Sequence, residues 1–153
     1  MDVTLTAIDE VDKVAFRQMA LDHFIEINPA FVPDTDWEGY FVESCLTTES
    51  IYARWIVADG QRAGFVVYLL ERHRFVPKDF GVIREVFVIP TWRRKGLASK
   101  AGQLMIDDLG RFGAIRVFVD IMAGDERARG LWARLGFGSH TERLVSNRAG
   151  GTE

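Results

Sequence analysis

The chain contains one cysteine, Cys45, so no intrachain disulfide can form. Its longest uninterrupted apolar run is the six residues from Phe65 to Leu70. That is far short of the ~20 residues a membrane span needs. Met1 to Thr4 carries no basic region, so no signal peptide is expected. Neither G-x-G-x-x-G after a first strand nor G-x4-G-K-[ST] occurs, which removes two common phosphate-loop motifs. His23, His73 and His140 are scattered and match no metal-ligand spacing. Repeats, low-complexity blocks and interdomain linkers are also missing. The pI of 5.6 and the short basic run Arg72-His73-Arg74 argue against a nucleic-acid partner. The expectation is one soluble cytoplasmic domain of 153 residues with no metal, membrane or nucleic-acid partner.

What is present is unevenly distributed. Residues 1–60 hold twelve acids and three bases, net −9. Residues 61–153 hold ten acids and sixteen bases, net +6. A basic half suits an anionic ligand and an acidic half a cationic one; two solvated faces of opposite sign are the plainer reading.

Hydrophobic periodicity orders the elements. Val3 to Ala7 alternates as a first strand. Asp9 is a candidate N-cap for a helix to about Ile25, with Val14, Met19 to Leu21 and Phe24 on its buried side. A second short helix is expected from Trp37 to about Leu46. Ile51 to Ala58 and Gly64 to Glu71 form a hairpin around Asp59-Gly60. Val82 to Ile89 is a third apolar strand, stopped by Pro90. Arg94 to about Arg111 reads as a helix ended by Gly113. Ile115 to Met122 reads as a strand, with Ile115, Val117, Val119 and Ile121 on one face. Asp125 can cap a helix to about Leu135, closed by Gly136. Phe137 to about Val145 is the last expected strand, before a polar tail from Ser146. The order β-α-α-β-β-β-α-β-α-β implies a mixed α/β sheet: antiparallel hairpins first, then a right-handed βαβ crossover.

The chemistry concentrates between the third strand of that run and its helix. Arg93-Arg94-Lys95-Gly96-Leu97-Ala98 places three bases and a glycine at a helix start. A first turn has free N–H groups and a positive dipole end, which suit a pyrophosphate. Gly96 lets a ligand approach the backbone, and Lys100 lies one turn further on. A basic helix start opposes the macrodipole, a conflict that a bound anion resolves.

Val88-x4-Arg93-x2-Gly96-x-Ala98 resembles the acetyl-CoA-binding motif of the GNAT N-acetyltransferases. Asp125-x2-Ala128-x3-Trp132-x3-Gly136-Phe137 resembles that family's next motif, and the spacing between them fits. The resemblance implies the GNAT fold, acetyl-CoA as co-substrate, an amine acceptor and a homodimer. It implies that Phe87 and Val88, in a splayed strand, bind the pantetheine arm. Arg93, Arg94, Lys95, Gly96, Leu97, Ala98 and Ser99 would hold the pyrophosphate, mostly with N–H groups. Asp125 stands where the family usually has Asn, and would contact the pantetheine arm or brace the loop. Trp132 stands where the family often has Tyr, which serves the departing sulfur. An indole N–H can donate a hydrogen bond but cannot act as an acid near neutral pH. Trp132 is therefore either such a donor or a core aromatic, and Tyr40, Tyr52 or Tyr68 could replace the missing phenol.

Glu85 is the candidate general base. It interrupts the apolar run Val82 to Ile89, where a carboxylate is costly unless paired or used. Strand parity sets it on the face of Phe87 and Ile89. A salt bridge to Arg84, Arg72 or Arg116 is the structural alternative. In the family, the first two helices wall the acceptor site. Here they carry Glu26, Asp34, Asp36, Glu38 and Glu43 with Phe31, Trp37, Tyr40 and Phe41. Such a wall suits a cationic, partly apolar amine, or else its acids are merely solvated. Cys45 has no neighbouring base in sequence and reads as a small core residue. The reading is an N-acetyltransferase; the rivals are an inactive acetyl-CoA-binding module and a domain without ligand.

Overall fold

The computed structural model describes residues 1–150. Five strands lie side by side in chain order: β1 (Val3–Ala7), β2 (Ile51–Ala58), β3 (Gln61–Arg72), β4 (Asp79–Val88) and β5 (Ala114–Val119). The first four are antiparallel, and β5 runs parallel to β4. Asp59 and Gly60 turn β2 into β3, both at positive φ (48° and 81°), as a tight two-residue hairpin turn demands.

Helices from the two halves of the chain cover opposite faces of this sheet. Over one face lie α1 (Lys13–Ile27), α2 (Thr35–Trp37) and α3 (Ser44–Thr47), the last two joined by a π-helical turn, Glu38–Glu43. Their core gathers Phe16, Ala20, Trp37, Val42, Trp55, Phe65 and Phe87. Over the other face lie α4 (Leu97–Arg111) and α5 (Glu126–Arg134), around Ile56, Val66, Tyr68, Ile83, Met105 and Trp132. A small third cluster of Ala58, Ala63 and Leu97 anchors the start of α4.

Four expectations are corrected. The α1 row that faces the sheet is Phe16, Ala20 and His23, and Val14 is 83% exposed. A 3₁₀ turn, Glu10–Asp12, precedes α1, and the Asp9 side chain caps nothing. This delays the helix and rotates its phase. The strand expected from Ile115 to Met122 stops at Val119, and Ile115 is turned to solvent. No strand forms between Phe137 and Val145. Leu144 and Val145 are exposed there, so no apolar contact rewards extension.

Candidate active site

β4 holds the site because its geometry changes part-way along. Its pairing with β5 ends at Ile83 and Val119, while β4 continues for five more residues. Arg84 to Val88 therefore border a gap. A β-bulge falls at the same place: Tyr68 faces Ile83 but Val67 faces Glu85, leaving Arg84 as the extra residue. The bulge reverses the parity of the strand. Ile83 packs into the α4 side, whereas Glu85 and Phe87 turn to the α1 side. Beyond the bulge, the Ile89 N–H donates to the Ala63 carbonyl across β3. Antiparallel alternation then points the N–H and C=O of Val86 and Val88 into the gap. Phe87, expected among the cofactor contacts, instead directs its carbonyl at Gly64 of β3 and buries its ring. Val86, which no side-chain signal in the sequence marks, is the residue whose backbone groups turn to the gap instead.

The helix start next to this gap is bare. Gly96 precedes α4 at φ 77°, no side chain caps the first turn, and that turn holds no acid. Arg94 is also left-handed (φ 64°), uncommon for a residue with a Cβ. Arg94, Lys95 and Gly96 are exposed, and a Cβ on Gly96 would meet nothing within 4 Å. Leu97 is 2% exposed and anchors the turn with its side chain, leaving its N–H to the loop. Ala98 and Ser99 complete the turn, half-buried. Such an uncapped, basic turn fits a pyrophosphate. Two bases are occupied elsewhere. Arg93 donates from Nε to the Val88 carbonyl (2.8 Å) and from one terminal nitrogen to both Glu26 oxygens (2.9 Å each), with its guanidinium over the Phe87 ring. Lys100 donates to the Met1 carbonyl.

On the α1 side, Glu85 is paired with none of the three arginines expected as alternatives. Arg84 goes to Glu71. The neighbour of Glu85 is His23, with Nε2 3.6 Å from Oε2 and the two side chains 11% and 17% exposed. Spacing along α1 could have revealed His23, a lone polar residue in the row of Phe16 and Ala20. The acidic wall, in contrast, is largely committed. Glu26 pairs with Arg93, Glu38 with Arg17 and Glu43 with Lys13, and Asp34 caps Trp37. Phe24, Phe31, Trp37 and Phe41 pack on one another, and Tyr40 is 84% exposed.

The remaining candidates are structural in placement. Trp132 is 6% exposed, its ring against Gly102 and Phe137 on the α4 side. Packing accounts for that position without a role at the thioester. Tyr68 donates to Asp108 near the far end of α4 and stacks on Tyr52. Burial first, then that hydrogen bond, holds its phenol well above the usual range. Burial, followed by the charge of Glu85, pushes the Cys45 thiol up to about 12, so it stays protonated and inert. Asp125 Oδ1 accepts from the Ala128 N–H (3.0 Å) and braces α5. Asp125→Ala is expected to cost about 1 kcal/mol, a Tm loss of roughly 2–4 °C in a melting curve. A broad open depression of about 620 Å³, lined by Thr48, Glu49, Tyr52 and Asp79, lies at the other end of β4 and shares no residue with the site. Among the described residues, no cluster of three or more His, Cys, Asp or Glu could hold a metal. No helix there is long and apolar enough to cross a membrane.

Comparison with known proteins decides the family. The model of the acetyltransferase (GNAT) family matches residues 15–137. The chain belongs to the GNAT acetyltransferase family. No curated protein matches this GNAT chain significantly in sequence. Its fold matches AAC(6')-Iy, solved in complex with the bisubstrate analog CoA-S-monomethyl-acetylneamine, at TM-score 0.73 and 18% identity, over 97% of this chain and 98% of that one. It also matches a ribosomal-protein-alanine N-acetyltransferase from Brucella melitensis biovar Abortus 2308 at TM-score 0.72 and 15% identity, over 95% and 99% of the two chains. A third match is the aminoglycoside acetyltransferase meta-AAC0020 from an uncultured soil metagenomic sample, in complex with sisomicin. Its TM-score is 0.70 at 18% identity, over 94% and 93% of the chains. At these identities the likeness is one of fold. GNAT membership makes the protein an acetyl-CoA-dependent N-acetyltransferase.

Proposed function

We propose that this GNAT protein transfers the acetyl group of acetyl-CoA to an amine of a small molecule or peptide by direct attack. One observation carries this reading: β4 parts from β5 at Ile83, between an uncapped helix start and a carboxylate. Val86 and Val88 hold the pantetheine arm with backbone groups along the gap. N–H groups between Arg94 and Ser99 hold the pyrophosphate, and Arg94 and Lys95 add charge. An alkyl amine has a pKa of ~10.4, so only about one in 10³ is neutral at pH 7. Glu85 takes the first proton from the ammonium. The freed nitrogen attacks the thioester carbon, an N–C bond forms, the C–S bond breaks and the nitrogen loses its second proton to water. A thiol has a pKa of ~8.5, so the sulfur leaves as thiolate without a placed acid. With most wall acids engaged, the acceptor is selected by shape and apolar contact more than by charge. A buried free thiol fits the reducing cytoplasm, where we place the protein.

The test measures CoA-thiol release across a panel of amines against an amine-free blank. Release that depends on one amine class is the expected result. Acetyl-CoA at about 100 times its Kd adds roughly 2.7 kcal/mol, a Tm rise of about 5–10 °C. Trp132 in the Tyr place favours one rival, a binding module without turnover. Stabilisation with no release above the blank would mean either an acceptor outside the panel or that rival, and would move the weight toward the rival; no stabilisation would remove both readings.

A further inference from the structure

Helix α1 sends one polar side chain into its buried row. Phe16, Ala20 and His23 are spaced by four and three residues, which stacks them on one helical face. His23 is 9% exposed, and Phe24, Phe65 and Phe87 surround its ring at centroid distances of 5.4, 5.6 and 5.3 Å. Nε2 is sealed from solvent and has no hydrogen-bond partner. A buried nitrogen left unpaired is destabilising, so such a group needs a reason to be there. Glu85 Oε2 stands 3.6 Å away. That is longer than a hydrogen bond, and a small rotation of either side chain closes it. Catalytic pairs often sit this loosely before substrate tightens them.

We propose that His23 is the positioning residue of the proton-accepting group. In its Nε2–H tautomer it donates to Oε2 of Glu85 and leaves Oε1 facing the acceptor amine. A carboxylate with one oxygen anchored cannot turn away into the apolar pocket of Phe65 and Phe87. Cys45, whose thiol feels the Glu85 charge, remains protonated and adds no competing anion. The proposal rests on Glu85 as the base, so its test must separate the two.

Three variants of the whole chain serve: His23→Leu, His23→Gln and Glu85→Gln, assayed with acetyl-CoA and the fastest amine of the panel. His23→Leu is expected to lower kcat about tenfold, the worth of one charge-assisted hydrogen bond, with KM for acetyl-CoA unchanged. His23→Gln keeps an N–H donor and recovers most of the rate. Nitrogen-15 spectra of labelled histidine need no acceptor. They are expected to show the Nε2–H tautomer of His23 in the wild type and a weaker preference in Glu85→Gln, whose neutral amide can accept from Nε2 or donate to it. A wild-type Nδ1–H tautomer overturns the proposal. So does a slow Glu85→Gln beside a His23→Leu as fast as wild type, and that result leaves the base assignment standing. Glu85→Gln at full speed removes the base assignment and this proposal together.

Discussion

Glu85→Gln is expected to lower kcat for acetyl transfer by about two to four orders of magnitude while leaving acetyl-CoA binding unchanged. The substitution keeps the shape of the side chain and an oxygen for His23, so packing on the α1 side is preserved. It removes the only carboxylate that the bulge at Arg84 turns toward the acceptor side of the gap. An amide cannot accept the ammonium proton, and attack then depends on the small neutral fraction of the amine. The proposed cofactor contacts lie along Val86, Val88 and the turn from Arg94 to Ser99, none of which the change touches. Steady-state kinetics at neutral pH, with a melting curve of each protein, check it. Equal kcat in the two proteins would sink the assignment.

Gly64→Ala is expected to be the most damaging single methyl group in the sheet. A Cβ at Gly64 would lie 2.0 Å from the Phe87 carbonyl oxygen and 3.0 Å from the Val88 Cα. Both are backbone atoms of β4, which cannot swing aside as a side chain can. The strand must move away from β3, toward the gap proposed to receive the pantetheine arm. Overpacking of this kind costs about 3 kcal/mol, a Tm loss of roughly 6–12 °C in a chain of this size. KM for acetyl-CoA should rise in the same variant, because Val86 and Val88 move with the strand. Gly81→Ala is the control: the atoms nearest its Cβ would be the tip of the Leu109 side chain, from 2.7 Å, which can shift more readily than backbone. A Gly64→Ala protein as stable as Gly81→Ala would contradict the argument.

The sequence made some of this legible and hid the rest for physical reasons. Asp59-Gly60, Gly96 and the Asp125 cap are local choices, decided by residues in contact along the chain, and all three sit as their chemistry dictates. The parity of Glu85 with Phe87 and Ile89 was also readable, since those three follow the bulge. The bulge itself was not. It depends on how β3 and β4 slip past one another, and period-two alternation within β4 says nothing about its partner. The partner of the Arg93 side chain was hidden for the same reason: its link to Glu26 spans 67 residues of sequence. The segment from Phe137 to Val145 has strand-like residues, yet a strand needs an edge to pair with and a surface to bury. His23 has no metal-ligand spacing to mark it; the apolar row it interrupts is the one signal that sets it apart.

The two helical layers come from halves of opposite net charge, −9 for residues 1–60 and +6 for residues 61–153, with the sheet between them. The molecule is thus electrically lopsided on the scale of its own diameter. In the proposed reaction the anionic cofactor is drawn toward the basic side and an ammonium compound toward the acidic one. Dissolved salt is expected to slow both arrivals by flattening the same slope.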